Sequence, residues 1–273
     1  MRDIGLHLRL QNTMHDLYKR AHELHLSLFQ CFFIFQSTGK LIKLSADDVK
    51  VCRAMNSLFA MRILHGSYWI NLANSQTRHR ALERELSLAK KLDFTHIVLH
   101  PGSARGSENR EQSIDFLART VNMLLKNEHD IQIVLENTAH GGMSIGGDLQ
   151  DFYLLKQKMD QPEKLKFCID TAHAFSYGYD IRDAAGQDAF IALLEKTIGI
   201  NSIVLIHMND THDSLGSKLD KHAMPGAGHI GLDALKRFVM NPSLANIPLI
   251  MEIPPVSQEE EQKIVELVKN WHE

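Results

Sequence analysis

The sequence predicts an α/β chain closed into a (β/α)8 TIM barrel, with a metal site at the C-terminal mouth of the strands. Three observations lead there. Eight short apolar runs alternate with longer amphipathic segments, the pattern of parallel strands joined by crossover helices. The chain has 273 residues, a length that suits closure of eight such units, although an open parallel sheet is the alternative that alternation alone allows. From the third run onward, each run ends on, or is followed by, a histidine or a carboxylate.

The first strand is expected at Ile4 to Leu8. The second is expected at Ser27 to Phe35. Its apolar stretch from Leu28 falls far short of the roughly 20 residues of a membrane span, so it reads as a buried strand. Further strands follow at Ala60 to Leu64, His96 to His100, Ile131 to Glu136, Lys166 to Asp170, Ser202 to His207 and Pro248 to Glu252. Between them, Arg78 to Leu92, Glu108 to Asn127 and Asp183 to Ile198 carry apolar residues at helical steps, and a last helix is expected from Ser257 to Trp271. No linker, charge run or internal repeat divides residues 1–273, so one domain is expected. The segment Asn209 to Gly228 is rich in Asp, His, Gly and Ser without apolar periodicity, which suits a functional loop.

Composition narrows the function. Thirty Lys and Arg against 33 Asp and Glu give a formal charge of −3, which excludes a wholly basic surface and confines any nucleic-acid contact to a local patch. Cys31, Cys52 and Cys168 lack metal-binding spacing and are expected to be reduced, buried and inert. The opening Met1-Arg2-Asp3-Ile4-Gly5 runs straight into a strand pattern, without the features of a secretion signal, so a cytoplasmic location is expected. Sixteen histidines make metal chemistry the first possibility to test.

The strand ends decide that test. His65, His100, Glu136, Asp170, His207 and Glu252 close six consecutive units, and in a parallel barrel these ends converge on one mouth. Any one of them alone would read as an ordinary capped or solvated residue; six in register read as ligands. His173 lies three residues after Asp170, and Asp220 and His222 alternate in the long loop, so both pairs can join the same opening. Imidazoles with carboxylates and no thiolates favour zinc, with manganese or iron as alternatives, and the number of groups exceeds the needs of one ion.

These residues lie in stretches that resemble the endonuclease IV family, the zinc-dependent apurinic/apyrimidinic endonucleases of base-excision repair. The resemblance is carried by Leu135-Glu136-Asn137-Thr138-Ala139, by Ile169-Asp170-Thr171-Ala172-His173 with Gly178-Tyr179-Asp180, by His207-Met208-Asn209-Asp210, and by Gly216-Ser217-Lys218-Leu219-Asp220-Lys221-His222 with Gly228-His229-Ile230-Gly231. His100-Pro101-Gly102-Ser103 and His65-Gly66-Ser67-Tyr68 match as well. The resemblance implies a monomeric (β/α)8 barrel with three Zn2+. It implies that His65, His100 and Glu136 hold the first, that Glu136, Asp170, His207 and Glu252 hold the second, and that His173, Asp220 and His222 hold the third. It further implies DNA repair at abasic sites in duplex DNA. A metal-bridged hydroxide would cut 5′ to the lesion, leaving a 3′-hydroxyl and a 5′-deoxyribose phosphate, with 3′-phosphodiesterase activity on blocked ends. Glu252 and Glu136 are the candidate catalytic residues, Glu252 orienting or deprotonating the water.

Departures from the family pattern lie where DNA is gripped. After the first strand stands Arg9-Leu10-Gln11-Asn12 in place of small residues and paired glycines. After the second stands Ser37-Thr38-Gly39-Lys40-Leu41-Ile42 in place of an Arg and an aromatic. Lys40 keeps charge for phosphate without the planar fork of Arg, and Tyr68 is the candidate aromatic contact. His7 is expected to support the site by hydrogen bonding, and His15, His22 and His25 to face solvent from one early helix. Two rivals remain. A sugar isomerase or epimerase on the same barrel needs one metal and has no use for His65, His100, His173, Asp220 and His222. A non-catalytic binding protein has no reason for nine ligands. Three Zn2+ would carry the formal charge from −3 to about +3, making the mouth cationic.

Overall fold

A computed structural model describes residues 2–35, 38–75, 79–104, 109–127 and 130–272. Eight parallel strands form a closed barrel: β1 (Ile4–His7), β2 (Leu28–Cys31), β3 (Met61–His65), β4 (His96–Leu99), β5 (Gln132–Glu136), β6 (Lys166–Asp170), β7 (Ile203–His207) and β8 (Leu249–Met251). Closure is made by β1, which pairs with β2 through Gly5 and Leu28 and with β8 through Gly5 and Ile250. The open sheet is therefore excluded. Gly5 is required at this seam, because a Cβ there would collide with the Leu28 carbonyl oxygen.

Helices surround the strands: α1 (Met14–Glu23), α2 (Ala46–Met55), α3 (Arg80–Lys91), α4 (Arg110–Asn127), α5 (Gln150–Gln157), α6 (Thr171–Tyr177), α7 (Ala184–Thr197), α8 (Leu232–Val239) and α9 (Gln258–Lys269). Local chemistry fixes several starts. Thr13, Ser45 and Ser257 each cap a helix and are answered three residues later by Asp16, Asp48 and Glu260, so two otherwise orphaned N–H groups are satisfied reciprocally. Each such cap is worth about 1 kcal/mol. Among the described residues no helix is long and apolar enough to cross a membrane.

Two apolar layers hold the barrel. A large outer core lies between strands and helices, with Phe29, Phe94, Phe152 and Phe167 all fully buried. A smaller cluster fills the interior: Leu28, Ile63, Val98, Val134, Cys168, Leu205 and Ile250. Successive side chains of a strand point to opposite faces, so the next inward position is two residues further on. Those positions are Gln30, His65, His100, Glu136, Asp170, His207 and Glu252, and on β1 the same step leads from Gly5 to His7. A polar ring thus sits directly above an apolar floor.

Differences from the sequence expectation are local. The second expected strand, Ser27 to Phe35, breaks after Cys31, and Ile34–Phe35 pairs antiparallel with Lys40–Leu41 in a small hairpin instead. The expected functional loop contains a second miniature hairpin, Asp210–Thr211 with His222–Ala223. His25 lies beyond α1 in a left-handed turn (φ 52°), although it is exposed like His15 and His22. Arg78 and Glu108, expected as helix starts, lie outside the described residues, as does Ser37. All three cysteines are free and buried.

Candidate metal centre

The barrel mouth opens into a cavity of about 410 Å³ whose lining includes His7, His65, His100, His173, Asp220, His222 and Glu252. Three groups of potential ligands each have their donor atoms within 4.8 Å of one another: His65, His100 and Glu136; Glu136, Asp170, His207 and Glu252; and Asp170, His173 and His222. Asp220 is outside the third close group, yet it faces two of its members. Its Oδ2 is 3.2 Å from His173 Nε2 and its Oδ1 is 3.2 Å from His222 Nε2.

Glu136 is the hub. Its side chain is fully buried, with Oε2 3.1 Å from both His65 Nε2 and His100 Nε2, and Oε1 2.9 Å from His207 Nδ1. Burial alone would raise this carboxyl, but the charges of His207 and His100 and contacts from His100 and His173 hold it well below the usual range. Glu252 is likewise depressed against its burial, by His207 and by its contact with His7. The imidazoles move the opposite way. His173 is raised well above its ordinary value because Asp170, Asp220 and Glu136 outweigh its burial. His222 is raised to about 9 against its own burial by Asp170, Asp220 and Glu252.

The hydrogen bonds on the outer edges of the rings test whether cations fit. His65 Nδ1 lies 2.9 Å from the Gly66 carbonyl, His173 Nδ1 lies 2.9 Å from the Asn137 carbonyl, and His207 Nε2 lies 3.0 Å from Gln30 Oε1. Each of these nitrogens has an acceptor, and the opposite nitrogen of each ring faces a carboxylate oxygen, so that either a proton or a metal cation must lie between the two. Two lone pairs cannot share such a contact unless a cation lies between them. His100 Nε2 and His222 Nε2 are buried, lie 3.1 and 3.2 Å from carboxylate oxygens, and yet make no hydrogen bond. Close approach without hydrogen-bond direction suits two donors aimed at a third point, since ligands about 2 Å from a tetrahedral Zn2+ lie about 3.3 Å apart. The residues fit the group. In the metal-free protein, imidazole protons fill the same need.

A supporting shell completes the arrangement, and sequence reading missed most of it. Gln30 Nε2 donates to Glu252 Oε1 (2.6 Å) and also lies 2.9 Å from His7 Nδ1, while its Oε1 accepts from His207. Asn209 Nδ2 donates to Asp170 Oδ2 (2.6 Å), and its Oδ1 accepts the Glu252 N–H (2.7 Å). Asn137 joins β5 to β6 by accepting the Asp170 N–H (2.7 Å) and donating to its carbonyl (3.1 Å). The signal for Gln30 was its inward register two residues after Leu28, hidden inside an apolar run. His7 lies 2.9 Å from Glu252 Oε1, in the hydrogen-bonding position expected for it.

The candidate DNA contacts separate. Tyr68 stands at the rim, 66% exposed, its ring 6.0 Å from that of His100, and the adjacent Trp69 is 81% exposed. Arg9 and Lys221 also line the mouth. Lys40 is exposed on its hairpin and is absent from the lining of the mouth.

Comparison with known proteins agrees with this architecture. The family described as xylose isomerase-like TIM barrel, AP_endonuc_2, matches residues 28–272. A probable endonuclease 4 of Halorhodospira halophila is 33% identical over 93% of this chain and 89% of its own length. The crystal structure of endonuclease IV from Thermus thermophilus superposes with a TM-score of 0.83 at 26% identity, covering 99% of this chain and 98% of the other. A D-tagatose 3-epimerase-like protein shares the fold with a TM-score of 0.70 at 17% identity, over 99% of this chain and 97% of the other. Its likeness extends to the barrel alone. The chain belongs to the endonuclease IV family within the xylose isomerase-like TIM barrels.

Proposed function

We propose that this chain is a metal-dependent repair endonuclease that hydrolyses duplex DNA 5′ to abasic sites, with 3′-phosphodiesterase activity on blocked ends. Three zinc ions are the proposed complement. The observation that carries the reading is the convergence of nine ligand-type side chains on one mouth, with the outer ring nitrogens of His65, His173 and His207 each held by an acceptor. A single-ion isomerase site has no use for His65, His100, His173, Asp220 and His222.

When bound, zinc supplies Lewis acidity, which lowers the pKa of water toward about 7 and offsets phosphoryl charge. The chain supplies the rest. Glu136 belongs to two of the close groups and fixes their separation. Glu252 has Oε1 tied by Gln30 and His7, while Oε2 is held more loosely, 3.4 Å from Asn209 Nδ2 and 3.7 Å from both His207 Nδ1 and His222 Nδ1. That oxygen is available to orient the attacking water and take its proton. A covalent enzyme intermediate is not needed, and burial pushes the Cys168 thiol in the barrel floor up to about 12, so it is no nucleophile. Arg9 and Lys221 provide cations for the flanking phosphates, and Tyr68 and Trp69 provide exposed faces on which bases stack.

The test is incision of a duplex carrying one tetrahydrofuran abasic analogue. Wild type should cut once, on the 5′ side, leaving a 3′-hydroxyl. Glu252→Gln and a chelated sample should both lose the cut, the former by at least about a hundredfold as expected for a lost proton acceptor. A fully metallated protein that leaves this duplex intact while converting a sugar refutes the proposal.

A further inference from the structure

The loop that carries Asp220 and His222 has no long strand or helix to hold it, yet it must meet His173 on α6. The join is made at the other end of that helix. The last carbonyls of a helix lack intrahelical partners, and here residues 216–218 cap them. Gly216 N–H donates to the Phe175 carbonyl (3.2 Å), which also accepts from Gly178 N–H (3.0 Å), and Lys218 N–H donates to the Ser176 carbonyl (2.9 Å), while Lys218 Nζ donates to the Tyr177 carbonyl. The Lys218 ammonium also lies 3.2 Å from the centroid of the Tyr177 ring. Its stem runs against Gly141, where a Cβ would come within 3.3 Å of Lys218 Cδ. His140 Nδ1 lies 3.0 Å from the Lys218 carbonyl.

Lys218 adopts φ 62°, one of only three positive-φ residues other than glycine among those described, and a long side chain there is disfavoured unless its surroundings hold it. Two residues later the chain reaches Asp220, whose oxygens face His173 and His222. We propose that Lys218 is a positioning residue that latches the 216–222 loop onto the C-terminal end of α6, so that Asp220 and His222 are delivered to the His173 carried near the start of the same helix. This inference rests on the three-metal reading above. It makes the His173, Asp220 and His222 position the last to fill and the first to empty, because two of its three members stand on the latched loop and not at strand ends.

The experiment counts zinc on the purified full chain and follows its release to a chromogenic chelator, in wild type and in Lys218→Met, Lys218→Gly and Lys218→Arg. Methionine keeps the aliphatic stem and removes the ammonium; glycine also relieves the backbone; arginine restores a donor above the ring. Wild type should hold three ions. Lys218→Met and Lys218→Gly should release one of them at least about tenfold faster, with the other two unchanged and the thermal midpoint close to wild type, and Lys218→Arg should recover most of the loss. Amide exchange at Gly216 and Lys218 should quicken in Lys218→Met even without metal. Release from Lys218→Met at the wild-type rate overturns the latch alone. A wild type holding a single ion overturns the three-metal reading, and the latch with it.

Discussion

At the residue scale the site depends on which nitrogen of each imidazole is free, and that is decided by groups that need never touch a metal. Gln30 is the clearest case, since it holds Glu252 through its amide N–H and accepts from His207 through its carbonyl. Gln30→Leu should preserve volume but leave His207 Nε2 buried without a partner. Zinc affinity should fall by about 10- to 100-fold, measurable by competition with a chelator of known affinity. The pKa directions give a second prediction. His222 is raised from 6.5 to about 9 in the metal-free fold, so its charge stabilises that fold fully below pH 6.5, and the contribution is lost as pH rises through 9. The midpoint for unfolding of chelated protein should therefore fall between pH 6.5 and 9. On the three-zinc proposal, zinc would compete with the same protons, so apparent zinc affinity should rise across that window and zinc addition should release protons. The six strand-end residues were legible in the sequence because apolar runs framed them. Gln30, Asn137 and Asn209 were not singled out for a role, because uncharged amides carry no mark of function until their partners are known.

At the element scale the barrel converts an alternation of two into a site. Each strand contributes an apolar residue to the floor and, one inward step later, a polar residue to the ring. The strands and main helices could be read from periodicity to within a few residues, whereas the hairpins at Ile34–Phe35 and Asp210–Thr211 could not, since two-residue strands have no period to detect. The long loop is organised by Asp210, whose buried carboxylate accepts N–H groups from Thr211, Gly226, Gly228, Ile230 and Gly231. Asp210→Asn exchanges one acceptor for a donor facing those N–H groups. The cost should be about 2 kcal/mol. That corresponds to about 4 to 8 °C in Tm, read by thermal unfolding of the metal-loaded protein.

At the scale of the whole molecule, closure brings residues as distant as His7 and Glu252 into hydrogen-bonding contact, so the site and the barrel stand or fall together. Metal binding to the native state alone must then stabilise it, by about 4 kcal/mol for each ion present at a thousandfold excess over its Kd. Chelation should lower Tm by many degrees, and zinc should restore it. The charge balance follows the same logic. Three Zn2+ would bring six positive charges to a mouth whose metal-free carboxylates are balanced by imidazole protons, so duplex affinity should also depend on metal loading and weaken with salt.

The most direct test of the central claim is reconstitution. Zinc is titrated into chelated protein while both bound zinc and incision of the abasic duplex are measured. The account predicts that cutting, 5′ to the lesion, reaches its plateau only as loading approaches three ions per chain. Full incision at one ion per chain, or none at three, would contradict it.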